Sequence, residues 1–100
     1  MGERRAHRGP APRSDAQILA HPEDMALVAL VSAGRVTRQS TRVNAPYTID
    51  GDPLRMDLRR LARDELIYAP ISGPPTLQPR GERLLQVMRG ELPWPQGDVA

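Results

Sequence analysis

The chain has 100 residues, a formal net charge of +2 and no cysteine. This length fits one domain with one modest core, and the lack of cysteine excludes disulfides, thiolate catalysis and cysteine-ligated metal sites. The sequence has neither an apolar run of membrane-spanning length nor a signal-peptide pattern, so we expect a cytoplasmic protein without a membrane partner.

Residues 1–13 contain glycine, proline and four arginines without apolar periodicity, which predicts a disordered basic arm. Such an arm either follows a nucleic-acid backbone or is a solvated tail. Ser14 and Gln17 have the capping-box spacing, in which the hydroxyl and the amide satisfy each other's backbone donors. We therefore predict a folded domain over residues 14–90 that begins with a short helix to about Ala20.

A second helix is predicted to follow the junction at His21 and Pro22, because proline favours the first helical turn. From Met25 to about Ala33 the sequence is apolar on most sides, and Gly34 is a typical helix stop. A helix that is hydrophobic all round must be buried, so we expect this one at the centre of the fold.

Residues 35–51 allow two interpretations. The first is a weak helix over residues 38–44, then an extended stretch over 47–49 and a turn at Asp50 and Gly51, since the Thr and Ser residues here are mediocre helix formers. The second is a β-hairpin across the segment. In either case its arginines contact phosphates or are neutral surface residues: Arg35, Arg38 and Arg42.

Residues 53–64 are predicted to form the basic helix of the chain. Asp52 is a suitable N-cap, and Pro53 suits the first helical position. Leucines at helical spacing give the helix one narrow apolar face. Its arginines suit bidentate contact with guanine edges or phosphates, although a solvated helix would have the same pattern: Arg55, Arg59, Arg60 and Arg63.

Two short strands, over residues 66–68 and 76–78, are predicted to flank a turn at residues 72–75 that is rich in glycine and proline. The segment from Tyr68 to Gln78 has no Arg or Lys, so only Arg80, past the second strand, could reach a phosphate. A last helix follows Pro79. Three of its residues are expected to face the core: Leu84, Leu85 and Met88.

This order of elements, with the leucine-spaced helix and the segment TLQPRGERLL, resembles bacterial winged helix-turn-helix regulators, broadly those of PadR and MarR type. The resemblance implies an α+β, mainly α fold with a short C-terminal β-hairpin wing. It also implies binding to double-stranded DNA, commonly as a homodimer. The groove-facing positions would then be those of the basic helix: Arg55, Arg59, Arg60 and Arg63.

Charge is concentrated in the middle of the chain. Residues 34–63 hold seven arginines and three aspartates, whereas the sequence after residue 63 is acidic. A basic centre is typical of nucleic-acid binding, because phosphate neutralisation supplies most of the sequence-independent affinity. All fourteen basic residues are arginine, which indicates a GC-rich genome such as that of a bacterium or its phage. Arginine identity by itself is therefore not a functional signal.

The sequence contains no recognisable catalytic motif. His7 lies in the predicted arm and His21 at a helix junction, where the helix dipole explains the neighbouring Glu23 and Asp24. We therefore expect no enzyme, metal, cofactor or small-molecule ligand. We predict a transcriptional regulator that reads duplex DNA with helix 53–64. The alternative is a winged-helix module for protein–protein contact without specific DNA binding, which the uncharged wing and Trp94 favour.

Residues 91–100 are predicted to be a C-terminal tail, because Pro93 and Pro95 cannot continue a helix. We expect Trp94 to dock on the domain or on a dimer partner, since a large aromatic ring in water is a liability. The terminal segments would then form the homodimer contact.

Overall fold

A computed structural model describes residues 12–54 and 58–95. Within them the protein is α+β, with four helices and two small antiparallel sheets. The helices are α1 (Asp15–Leu19), α2 (Pro22–Ser32), α3 (Arg59–Arg63) and α4 (Pro79–Met88). The strands are β1 (Val36–Arg38), β2 (Tyr47–Ile49), β3 (Asp52–Pro53), β4 (Ile67–Tyr68) and β5 (Thr76–Leu77). Helices do not clearly dominate, so the structure confirms the α+β class and does not confirm that it is mainly α.

The first two helices follow local signals. The Ser14 hydroxyl accepts a bond from the Gln17 N–H at 3.2 Å while the Gln17 side chain accepts from the Ser14 N–H at 2.8 Å, which confirms the predicted capping box. Helix α2 begins at Pro22 and stops before Gly34, whose φ of 76° suits glycine. As predicted, α2 is central and packs against α1, α4 and β5.

The predicted helix over residues 38–44 is wrong, and the β-hairpin interpretation is confirmed. Strand β1 pairs antiparallel with β2, and Thr37 lies opposite Thr48 with 3.0 Å between their hydroxyl oxygens. Val36 and Ile49, both β-branched, form the next cross-strand pair. Cross-strand packing therefore outweighs the weak helix propensity of this segment.

The predicted start of the basic helix is also wrong. Asp52 and Pro53 form strand β3 instead of a cap and first turn, because Asp50 and Gly51 both have positive φ and turn the chain back along β2. Proline is tolerated there because β3 lies at the edge of the sheet order β1–β2–β3. Helix α3 covers only Arg59–Arg63, and Arg55 lies outside the described residues.

The predicted C-terminal hairpin is confirmed: β4 pairs antiparallel with β5, and Tyr68 lies opposite Thr76. We call the hairpin and its connecting segment, residues 67–77, the wing. Helix α4 follows at once and buries Leu84 and Leu85, as predicted, together with Val87. Met88 was expected to face the core but is 44% exposed; it is the last residue of α4, one turn beyond Leu84.

One aliphatic core holds these elements together. It combines side chains from every helix with the inner faces of both sheets. Its largest fully buried members are Ile18, Met25, Leu61, Leu66, Ile67 and Leu84. Leu58 and Leu61 anchor α3 in this core, so the rest of that short helix is held at the surface.

Candidate nucleic-acid interface

Helix α3 carries the exposed basic residues that the sequence predicts for DNA contact. Arg59 and Arg63 lie one helical turn apart, so they share a face, and both are exposed. Arg60 lies further round the helix, where its Nη2 donates to Asp24 Oδ1 at 2.6 Å. The helix thus presents two arginines on its outer face and uses the third to bind α2.

A groove separates α3 from the wing. Its volume is about 500 Å³. Leu58 and Arg59 form one wall, and Ala69, Pro70 and Ile71 of the wing form the other. Residues 44–46 of the β1–β2 loop, with Arg38 and Tyr47, complete the lining. The groove therefore has a basic wall and an apolar wall.

A second depression, of about 490 Å³, adjoins the groove along residues 44–46. Arg42 and Val43 line it, and both are exposed. Arg42 and Arg59 thus lie on depressions that share one wall. This places a loop arginine and a helix arginine on neighbouring parts of the surface, although they are far apart in the sequence.

Arg38 is held inside the protein and holds the wing in place. Its guanidinium donates to the carbonyl oxygens of Ala45, at 2.6 Å, and Gly73, at 2.7 Å, and also to that of Pro70. The same group donates to the Tyr47 hydroxyl at 2.8 Å and lies 4.2 Å from the centre of that ring. These bonds leave Arg38 no outward role, so we remove it from the DNA-contacting set.

Arg35 forms an exposed ion pair with Asp50 at the end of the hairpin, with 2.5 Å between Nη2 and Oδ2. Hydrogen bonds from Arg35 hold the pKa of Asp50 below its ordinary value, and the carboxylate raises the pKa of Arg35. Because both side chains are in water, the pair is weak. Arg35 could exchange Asp50 for a phosphate at little cost.

A buried ion network lies behind α3. Asp24 and Asp64 have side chains only 3% exposed, and Arg13 joins them. Arg13 donates to Asp64 from its backbone N–H at 3.0 Å and from Nε and Nη2 at 2.9 and 2.7 Å. Its Nη2 also lies 2.9 Å from Asp24 Oδ2. Burial lowers the pKa of Arg13, but the hydrogen bonds to Asp64 and Asp24 outweigh this and raise it overall.

Arg80 belongs to the same buried region. It donates from Nε to Asp15 Oδ1 at 2.9 Å and from its two terminal nitrogens to the backbone carbonyls of Asp64 and Arg13, each at 2.7 Å. The sequence suggested a phosphate contact for Arg80, but the structure uses its donors to join α1, α3 and α4. We therefore remove it from the DNA-contacting set as well.

Sequence reasoning missed the structural roles of Arg13, Asp24 and Asp64. The two aspartates lie at helix ends, where acidic residues are common, and nothing nearby in the sequence marks them as buried.

In residues 12–54 and 58–95, no three His, Asp or Glu side chains converge as metal ligands would. Nor is any helix in these ranges long and apolar enough to cross a bilayer.

Comparisons with protein-family models, with curated proteins and with solved structures find no match to this chain.

Proposed function

We propose that the protein is a small winged-helix DNA-binding protein, a transcriptional regulator that docks α3 on duplex DNA. The observation that carries this proposal is the outer face of α3. Arg59 and Arg63 are exposed there, while Leu58 and Leu61 fix the helix in the core. Guanidinium groups on a rigid helix are suited to phosphates and to guanine edges.

The surroundings of α3 support the same proposal. Arg42 lies on the neighbouring depression, so positive charge continues from the helix to the loop. Arg59 is the leading candidate for base contact because it lines the groove, and Arg42 and Arg63 are candidates for phosphates. Arg35 could join them by exchanging the exposed Asp50 for a phosphate, whereas the buried Asp24 holds Arg60. Arg55 keeps its sequence-based role as a prediction.

The first prediction concerns salt and Arg59. Neutralising about four to six phosphates should give a log–log slope of affinity against salt of about −4 to −5. Arg59→Ala should lower the affinity for the preferred sequence by about ten- to a hundredfold, because a bidentate base contact is lost. Arg63→Ala should weaken binding to all sequences alike and reduce the slope by about one. Fluorescence anisotropy on duplexes selected from random DNA measures the affinity of each variant and its dependence on salt concentration.

Arg89→Ala is the matched control, because it removes one exposed arginine from the turn after α4, away from the groove. It should leave both the preference and the slope nearly unchanged. Equal losses from Arg59→Ala and Arg89→Ala would contradict docking through α3.

A protein-interaction module is the second candidate, and the exposed apolar wing residue Ile71 favours it. It predicts weak duplex binding with little salt dependence. A flat salt response of the wild-type protein would therefore support this second function over the first.

We also propose that the protein acts as a homodimer through its C-terminal segment. Met88, Leu92 and Trp94 are exposed large apolar side chains there, and its own domain leaves Trp94 54% exposed. A two-fold dimer reads two half-sites, so the selected duplexes should contain a palindrome.

A further inference from the structure

Two exposed aliphatic residues lie in two joined loops, one at the groove and the other at the adjoining depression. Val43 is 61% exposed in the β1–β2 loop, and Ile71 is 67% exposed in the wing. The Asn44 N–H donates to the Ile71 carbonyl at 2.7 Å, which joins the two loops at this point. We call Val43 and Ile71 the apolar ridge. Burial of these two side chains against a binding partner would be favourable, because exposing large aliphatic groups to water costs free energy.

The apolar ridge is held rigidly. Arg38 binds a carbonyl of the β1–β2 loop, Ala45, and two carbonyls of the wing, Pro70 and Gly73, so both loops are fixed to one guanidinium. Pro75, which is buried, stiffens the return of the wing. A pre-formed apolar edge loses little conformational entropy when it binds.

Charge surrounds the apolar ridge on both sides. Ile71 shares the groove with Arg59, and Val43 shares the adjoining depression with Arg42. The wing between Tyr68 and Gln78 has no charged side chain of its own. An apolar edge flanked by arginines is complementary in shape and charge to the minor groove of a duplex, which is about 6 Å wide and has phosphates along both sides.

We propose that the apolar ridge enters the minor groove beside the α3 contact and wedges open one base step. This inference rests on the proposed DNA-binding function. Arg42 would hold a flanking phosphate and Arg59 would keep its base contact from α3, while Ile71 and Val43 would partly unstack the bases. Apolar wedges of this kind bend DNA by roughly 20–90° toward the major groove. Flexible pyrimidine–purine steps would be preferred, because they unstack most easily.

The experiment compares DNA bending and affinity in matched variants. A selected duplex carries a fluorophore at each end for energy transfer, and 2-aminopurine in its central region reports unstacking. The wild-type protein should shorten the end-to-end distance and raise 2-aminopurine fluorescence. The double variant Val43→Ala, Ile71→Ala should lose both signals and bind about tenfold more weakly, with the salt slope unchanged because the arginines remain. Both sites are exposed, so the variant should fold.

Two further variants sharpen the result. Glu82→Ala truncates an exposed side chain of α4, which lines neither the groove nor the adjoining depression, and should change neither signal. Ile71→Arg gives the wing a phosphate-binding charge, so it should steepen the salt slope by about one and still lose the bend.

Several outcomes would overturn the inference. If the wild-type protein binds its duplex without bending it, or the double variant still bends it, the apolar ridge is not a wedge. Wild-type affinity in the double variant would mean that the apolar ridge contributes nothing to duplex binding, and would leave the proposed DNA binding standing. No duplex binding by the wild-type protein would defeat the proposed function and this inference together.

Discussion

At Gly81, α4 packs so closely on the neighbouring backbone that there is no space for a side chain. A Cβ atom at this position would stand 2.1 Å from the Leu66 carbonyl oxygen, which is backbone and cannot turn away. The same oxygen accepts a bond from the Gln78 N–H at 3.0 Å, just before α4 begins. The approach of α4 to the chain before β4 therefore depends on the absence of a side chain at Gly81.

Gly81→Ala should lower the free energy of unfolding by about 2–3 kcal/mol, because the helix must shift away from Leu66. Helix propensity alone predicts the opposite sign, a gain of about 1 kcal/mol. Urea unfolding decides between them. Glu82→Ala, at the exposed neighbouring position, is the control and should stay within about 0.5 kcal/mol of the wild type. A stabilised Gly81→Ala protein would contradict the observed packing.

Arginines with the same chemistry have separate tasks in this protein. Arg59 and Arg63 are exposed on α3. Arg38 instead donates hydrogen bonds to backbone carbonyls, and Arg80 donates to a backbone carbonyl and to the Asp15 carboxylate. Because Arg carries five donors in a planar fork, it can bind several carbonyls of separate segments at once. Residue type therefore does not distinguish the exposed arginines from those that bind within the fold.

At the scale of elements, the buried ion network joins the start of α2 and the end of α3 through Arg13, which precedes α1. Asp64 is the C-cap of α3, where the helix dipole disfavours a carboxylate. Arg13, anchored to Asp64 through three hydrogen bonds, offsets that cost. The network thus fixes the orientation of α3, the element proposed to contact DNA.

Asp64→Ala should lower the free energy of unfolding by about 2–4 kcal/mol, because it leaves Arg13 partly buried with fewer partners. The exposed pair provides the control: Asp50→Ala should leave the midpoint of urea unfolding almost unchanged, since water and salt screen that pair. Equal effects from the two substitutions would mean that burial of the network contributes nothing to stability.

For the whole molecule, the acidic and basic residues make stability depend on pH. Burial raises the pKa of Asp15, but hydrogen bonds from Arg80 and Arg83 outweigh it and lower the pKa below the ordinary value of 3.8. A carboxyl with a lowered pKa in the folded state stabilises the protein above its unfolded pKa. That contribution is lost as the pH falls through the folded pKa.

The protein should therefore lose stability below about pH 4, and Asp15→Asn should lose less over the same range. The variant should be less stable than the wild type at pH 6, and this difference in stability should become smaller as the pH falls. Thermal unfolding followed by circular dichroism measures both curves. Glu82→Gln is the control for removing one surface carboxylate. A gap between wild type and Asp15→Asn that does not change with pH would contradict the role assigned to Asp15.

The sequence by itself determined the elements whose signals are local. The capping box at Ser14, the stop at Gly34 and the wing hairpin depend on residues a few positions apart, so their patterns were readable and were confirmed. The exposed arginines of α3 followed from helical spacing in the same way.

Only the tertiary structure decided the features that depend on residues far apart in the sequence. The hairpin of β1 and β2, the strand at Asp52 and Pro53, and the internal roles of Arg38 and Arg80 run against the local patterns. Arg38 lies 35 positions from Gly73 and Arg13 lies 51 positions from Asp64, so neither contact is visible nearby in the sequence. A buried or charge-assisted contact outweighs the fractions of a kcal/mol in local propensity. For that reason long-range packing set both the fold of residues 36–53 and the membership of the candidate site.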